Sequence, residues 1–231
     1  MVSLIWKEWH EQSWKLAFGC LVLGALALIG LRTRIIADET MVMWVCALGL
    51  ALLPVLSSTG LIPAERADGT FESLLAIPIS PWRILFIKTA MGLLLCAGPM
   101  IVAALISILT AGEREMSSSA MFTLYLRSAL AALAMFIWML ALTVHLPNEA
   151  RAGLLAMGLL VFWLLATAGL AYPPVPELVF ACSPLSFVYG IADSRASAPA
   201  LILIIAIQLV ILFLLWIWTS RRLSVNVEGI E

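Results

Sequence analysis

Six stretches of the chain are apolar and long enough, or nearly so, to cross a lipid bilayer. A helix needs about 20 apolar residues to cross a hydrocarbon core of roughly 30 Å. Backbone groups in lipid must be hydrogen-bonded within their own segment, so each stretch is predicted to be an α-helix. The predicted spans are Leu16–Leu31, about Thr40–Ala64, about Ile84–Ala111, about Arg127–Leu146, Ala152–Tyr172 and Ala200–Thr219. The sequence therefore predicts an all-α, polytopic membrane protein with six transmembrane helices in a single transmembrane domain over residues 1–231.

The composition excludes several other classes of protein. Of the 231 residues, 63% are hydrophobic and 12% are charged, whereas soluble domains average roughly 45–50% and about 25%. The net charge of −1 provides no basic surface for nucleic acid. The four cysteines form no CxxC pair, so no metal site is predicted. No Walker A signature GxxxxGK[ST] is present, so we predict that the chain is not itself an ATP-hydrolysing enzyme.

Residues 2–15 are predicted to form an amphipathic helix that lies in the membrane interface before the chain turns into the first span. Apolar residues recur there at three- and four-residue spacing, as on one face of a helix. The opposite, solvated face carries Lys7, Glu8, Glu11 and Lys15. Trp6, Trp9 and Trp14 suit the headgroup layer. The alternative is one longer first helix with a polar overhang.

Six spans place both termini on the same side of the membrane. If that side is cytoplasmic, it carries eight lysines and arginines and the other side carries five. This bias follows the positive-inside rule, so we expect cytoplasmic termini.

Few polar residues lie within the predicted spans. Lys88 is near the start of the third span and is predicted to snorkel to the interface. Gln208 lies in the sixth span and is expected either to bridge helices or to line a cavity. Acids are absent from the interior of every predicted span, which counts against a proton- or sodium-coupled carrier.

The connection over residues 65–82 is predicted to lie at the cytoplasmic surface. Gly69 and Pro78 bracket a piece about two helical turns long, Thr70–Ile77, and Ser80 followed by proline is typical of a helix start. The short helix is polar on one edge and apolar on the other, so it can rest on the bundle and present its polar edge to a cytoplasmic partner. An ordinary interfacial loop is the alternative.

The connection over residues 173–199 is predicted to form a broken helical hairpin that dips into the outer leaflet. It is too apolar for a solvated loop, yet Pro184 and Gly190 interrupt it. Apolar stretches of about 10–14 residues are more often re-entrant or interfacial than spanning.

Two motifs in these connections resemble those of ABC-2 type permeases, the membrane subunits of ATP-binding cassette exporters. The first is E-R-x-x-G-T-F-E-x-L-L-x-x-P-I-S, from Glu65 to Ser80, and the second is S-P-L-S-F, from Ser183 to Phe187. Ser183 stands where asparagine is common in the family. The six spans and the interfacial N-terminal helix extend the resemblance over nearly the whole chain.

The resemblance implies a coupling helix around Gly69–Ile77, seated in a separate cytoplasmic ATPase. The residues that it assigns to this contact are Glu65, Arg66, Gly69, Thr70, Phe71, Glu72 and Leu75. It also implies an extracellular gate that includes Ser183, Pro184, Leu185, Phe187 and Tyr189. Gly69 is expected to supply a backbone turn.

The resemblance further implies a homodimer of permeases with two ATPases, in the lipid bilayer of a bacterial inner membrane. ATP and Mg would be bound by the ATPases, so no cofactor is expected in this chain. Two alternatives stay open: a permease of haem or copper-site maturation, and a non-transporting membrane scaffold. The substrate is unknown, although the composition of the spans favours a lipidic, peptidic or drug-like cargo over a metal cation.

Overall fold

The computed structural model describes residues 2–33, 37–70, 80–110, 117–144, 146, 148–170, 183–186 and 198–228. Within these ranges the chain is helical apart from turns and helix ends, and no strand occurs. The helices are α1 (Val2–Thr33), α2 (Asp38–Leu61), α3 (Pro63–Ala67), α4 (Pro81–Thr110), α5 (Ser118–Thr143), α6 (Glu149–Leu170) and α7 (Ala198–Glu228). The prediction of an all-α fold is confirmed.

Five helical segments in the described part of the chain are long and apolar enough to cross a membrane. They comprise α1, α2 with the adjoining α3, α4, α5 and α6. Helix α7 has 31 residues, but the apolar stretch whose side chains are described, Ile205–Arg221, is shorter than the other five. The protein is therefore a multi-pass membrane protein by the length and composition of its helices, and the count of six spans stays a prediction.

Helix α1 differs from its predicted form because it runs without a break for 32 residues. Residues 2–15 and the predicted first span therefore form the single longer helix that was the alternative, and the interfacial position of residues 2–15 stays a prediction. Its outer face exposes Trp6 and Trp14, whereas Glu8 and Gln12 are buried. Glu8 and Gln12 are four residues apart, so they lie on the same face of α1, and this face packs against the bundle. Part of the predicted solvated face therefore lies inside the protein.

The bundle is built around α2, α4 and α5. Helix α1 packs along α4 and also contacts α2, while α6 contacts α2 and α5 and α7 contacts α4 and α5. One buried apolar cluster joins α1, α2, α4 and α5, and a second joins α2, α5 and α6 with Leu185.

A glycine allows α4 and α5 to approach closely. A Cβ built on Gly92 of α4 would overlap the ring of Phe136 on α5, and that ring is fully buried. The missing side chain therefore makes room for an aromatic ring at this helix contact. Gly158 of α6, in contrast, has open space around its Cβ position.

We predict that Gly92→Ala lowers the stability of the bundle, whereas the matched variant Gly158→Ala does not. Overpacking a filled core costs about 1–3 kcal/mol, while alanine replaces glycine in an open helical position with a gain of up to about 1 kcal/mol. Thermal unfolding in mild detergent, followed by tryptophan fluorescence, measures both. Equal midpoints for the two variants would contradict the close approach at Gly92.

Candidate functional site

Four charged side chains meet where α1, α3 and α4 converge, close to the start of the connection over residues 65–82. Lys7 and Glu8 come from α1, Glu65 comes from α3 and Lys88 comes from α4. We call this set the charged network. Three of the four are buried, because Glu8, Glu65 and Lys88 expose 0%, 7% and 1% of their surface.

Lys88 is the centre of the charged network. Its Nζ lies 2.6 Å from Oε1 of Glu8 and 2.7 Å from Oε2 of Glu65, and it donates a hydrogen bond of 3.1 Å to the carbonyl of Leu61. The three acceptors belong to α1, α3 and the end of α2. A single ammonium group therefore connects three helices to α4.

Glu65 is the second connecting residue, because its two carboxylate oxygens face two different lysines. Oε2 faces Lys88, and Oε1 accepts a hydrogen bond of 2.9 Å from Nζ of Lys7. Lys7 is only partly buried and also lies 3.6 Å from Glu11, one turn further along α1. The network thus extends from the interior to the surface of the protein.

The local sequence explains how Glu65 reaches this position. Helix α3 has five residues and begins with Pro63, which suits a first helical turn because its missing N–H has no intrahelical acceptor there. Glu65 lies in that first turn, where the helix dipole favours a negative charge.

Next to the network, a second pair of contacts joins α1 to the end of α2. Nε2 of Gln12 donates a hydrogen bond of 3.1 Å to the carbonyl of Gly60. The ammonium of Lys15 occupies the space that a Cβ on Gly60 would need. Glycine at position 60 therefore lets both side chains lie against the backbone of α2.

The formal charges of the network cancel, since it contains two glutamates and two lysines. Glu8, Glu11 and Glu65 have carboxylate oxygens within 4.8 Å of one another, as a metal site would, but Lys7 and Lys88 lie against these oxygens. The cluster is therefore an ion-pair network. Breaking such a pair inside a protein leaves an uncompensated charge, which costs about 3–5 kcal/mol.

Two sequence-based interpretations are wrong at this site. Lys88 does not snorkel to the interface, because its side chain is 1% exposed and paired with two carboxylates. Glu8 does not lie on a solvated face, because it is fully buried. Because a lysine within an apolar stretch requires a counter-ion, Lys88 itself indicated that a buried ion pair would form. The sequence did not indicate which glutamate would supply the charge.

The structure places the first four predicted coupling residues at the end of α3. Glu65 is buried in the network, Arg66 is half-buried, and Gly69 and Thr70 are exposed. Gly69 has a φ of +69°, which confirms the predicted glycine turn, and Oγ1 of Thr70 donates a hydrogen bond of 3.3 Å to the carbonyl of Glu65. The other predicted coupling residues, Phe71, Glu72 and Leu75, lie outside the described residues.

Three of the predicted gate residues lie within the described turn at 183–186. Ser183, Pro184 and Leu185 are all buried, and Leu185 belongs to the apolar cluster shared by α2, α5 and α6. The other two, Phe187 and Tyr189, lie outside the described residues. Gln208 of α7 donates a hydrogen bond of 2.7 Å to the carbonyl of Ser183, so it bridges α7 to this turn.

The comparison with protein families gives one match. Residues 6–167 match the model of the family described as ABC-2 family transporter protein, which is more than two thirds of the chain. The matched range includes every member of the charged network. No curated protein matches the chain.

We predict that Lys88→Met destabilises the protein by about 3–5 kcal/mol, because two buried carboxylates lose their shared counter-ion. The double variant Glu8→Gln/Lys88→Met should recover part of this loss, since Glu65 then keeps Lys7 as its partner. The midpoint of unfolding in mild detergent measures both changes.

Lys7→Met is the matched control, because it removes a lysine of the same network whose side chain is 36% exposed. Partly exposed ion pairs contribute about 1 kcal/mol or less, so the unfolding midpoint should change little. Equal losses from Lys7→Met and Lys88→Met would contradict the central position of Lys88.

Proposed function

Since the chain belongs to the ABC-2 family of transporter proteins, we propose that it is the transmembrane permease subunit of an ABC exporter. The chain forms the substrate pathway, and a separate cytoplasmic ATPase supplies the energy. The observation that carries this proposal is the charged network, because it fastens the beginning of the predicted coupling segment to α1 and α4.

Membership of the ABC-2 family supports the general role of the chain as a membrane component. An ABC-2 permease is the membrane component of its transporter and is not itself catalytic, and members of the family generally work with an ABC ATPase. ATP and Mg are bound by that partner. The long apolar helices agree with a multi-pass membrane component.

The coupling contact is proposed to lie on the surface that follows α3. Ala67, Asp68, Gly69 and Thr70 are exposed there, and Gly69 has the positive φ of a turn. Arg66 and residues 69–75 contact the ATPase in this proposal. Glu65 takes a different part, because its carboxylate is engaged by Lys7 and Lys88 and so anchors the segment.

The network also provides a path for movement. When the ATPase dimer closes on ATP, it pushes the coupling segment, and the push reaches Glu65. Lys88 passes the displacement to α4 and Glu8 passes it to α1, since both are tied to Glu65 through one ammonium group. Because α1 and α4 pack along each other, they tilt together and change access to the pathway.

The assembly is proposed to contain two copies of this chain and two ATPases in a bacterial inner membrane. Both termini and the coupling segment lie on the cytoplasmic side, as the six predicted spans and the excess of basic residues favour. The turn at 183–186 then belongs to the extracellular gate, a position that its burial among the helices supports.

An apolar or amphipathic cargo, such as a lipid, a peptide or a drug-like molecule, suits the interior better than a metal cation. The buried acids of the described residues are Glu8 and Glu65, and both face lysines. The remaining buried polar side chains of the described helices, other than Lys88, are serine, threonine and glutamine. Neutral side chains of this kind lack the negative charge that most metal-cation sites provide.

The first test is co-purification of the tagged chain in mild detergent, followed by an ATPase assay. We predict that an ATPase accompanies the chain in a one-to-one ratio and is lost when residues 69–77 are scrambled. Glu72→Ala should keep the complex but lower its ATPase activity, because a charge contact of the coupling helix is removed.

Scrambling residues 111–116, the connection between α4 and α5, is the matched control. It lies at the other end of α4 from Lys88 in the proposed topology, so the ATPase should remain bound. A folded chain that purifies without any ATPase would overturn the permease assignment and favour a membrane scaffold. Haem or copper in the purified complex would instead favour a maturation-type permease.

A further inference from the structure

Residues 183–185 form a turn and Ser186 is helical, within the connection between α6 and α7. The backbone N–H of Ser186 donates a hydrogen bond of 3.0 Å to the carbonyl of Ser183, and that of Leu185 donates one of 3.2 Å to Oγ of Ser183. Non-helical backbone at membrane depth is tolerated only where protein or a water-filled cavity satisfies it. Here Ser183 accepts both hydrogen bonds within the turn.

The turn lies near the middle of the bundle. Leu185 is fully buried and belongs to an apolar cluster with Leu50, Met135 and Leu160, which are close to the midpoints of α2, α5 and α6. Three alanines of α5 also belong to this cluster: Ala131, Ala132 and Ala134. Small residues on α5 leave space for the side chain of Leu185 between the helices.

Gln208 makes a polar contact with the turn, in addition to the apolar packing of Leu185. It is fully buried in α7, and its Nε2 lies 2.7 Å from the carbonyl oxygen of Ser183 and 3.5 Å from Oγ of Ser186. The Ser183 carbonyl thus accepts one hydrogen bond from the turn and one from α7. Apolar packing is non-directional, whereas a hydrogen bond to a particular carbonyl fixes the orientation of the turn.

We propose that Gln208 is the positioning residue of the extracellular gate, which it holds closed by fixing the turn at 183–186 among α2, α5, α6 and α7. The assignment of this turn to a gate rests on the proposed function. In the closed state the carbonyl of Ser183 is bound to α7 and Leu185 fills the centre of the bundle, so water does not reach the turn. Movement of α7 relative to α5 breaks this contact and opens the turn to water.

The test measures water access to the turn through the reactivity of a cysteine. Ser186→Cys is nearly isosteric and serves as the reporter, and Cys96, which is fully buried, is kept as an internal reference while the other three cysteines are replaced by alanine. The full chain in lipid nanodiscs is treated with a charged thiol reagent, and the modification of each cysteine is followed by mass spectrometry. Only a thiol in contact with water forms the reactive thiolate.

We expect Gln208→Met to raise the modification rate of the Ser186→Cys reporter by roughly three- to tenfold, which corresponds to the strength of interhelical hydrogen bonds in membranes. Methionine keeps the volume of the side chain and removes the donor. Leu209→Met is the matched control, since Leu209 is 61% exposed on the same helix, and it should leave the rate unchanged.

Two results would overturn the assignment of Gln208. An unchanged rate in Gln208→Met would mean that apolar packing alone positions the turn. Modification of Cys96 together with the reporter would mean that the glutamine supports the whole bundle. The measurement needs neither ATPase nor cargo. A raised rate in a chain that binds no ATPase would therefore support Gln208 as the residue that positions the turn, and would contradict only the assignment of this turn to a gate.

Discussion

The pairing of Lys88 with Glu8 and Glu65 is the contact on which the arrangement of this end of the bundle depends. An ammonium group in an apolar environment must be neutralised, and the two carboxylates come from helices that are far apart in the sequence. The carbonyl of Leu61 completes the set of acceptors. Helices α1, α3 and α4 are therefore fixed relative to one another, and the segment after α3 starts from a defined position.

The same physical rule applies at the turn over residues 183–186. There the buried polar group is the backbone carbonyl of Ser183, which accepts one hydrogen bond within the turn and a second from Gln208 of α7. Buried ion pairs and hydrogen bonds add little stability compared with apolar packing, but they restrict which arrangement of the helices is possible. The bundle thus has a specific polar contact at each of the two connections that the proposed mechanism uses.

Some features of this structure follow from short stretches of sequence and were predicted correctly. The apolar stretches predicted the helices, since each is long enough, or nearly so, to cross a bilayer. The positive φ at position 69 followed from a glycine between polar residues. The continuous α1 was the alternative and not the preferred prediction, because the polar residues of 2–15 also fit a separate interfacial helix. The burial of Glu8 could be recognised only once α4 was known to lie beside α1.

The sequence by itself determined that the protein is a helical membrane protein, where its main helices lie and where the chain turns at Gly69, because composition and residue spacing act over a few helical turns. Only the tertiary structure decided the partners of the buried polar groups. Glu8 and Lys88 are 80 residues apart, Lys7 and Glu65 are 58 apart, and Ser183 and Gln208 are 25 apart. Such pairs form when helices pack, because a buried polar group must then find whichever partner the neighbouring helix presents.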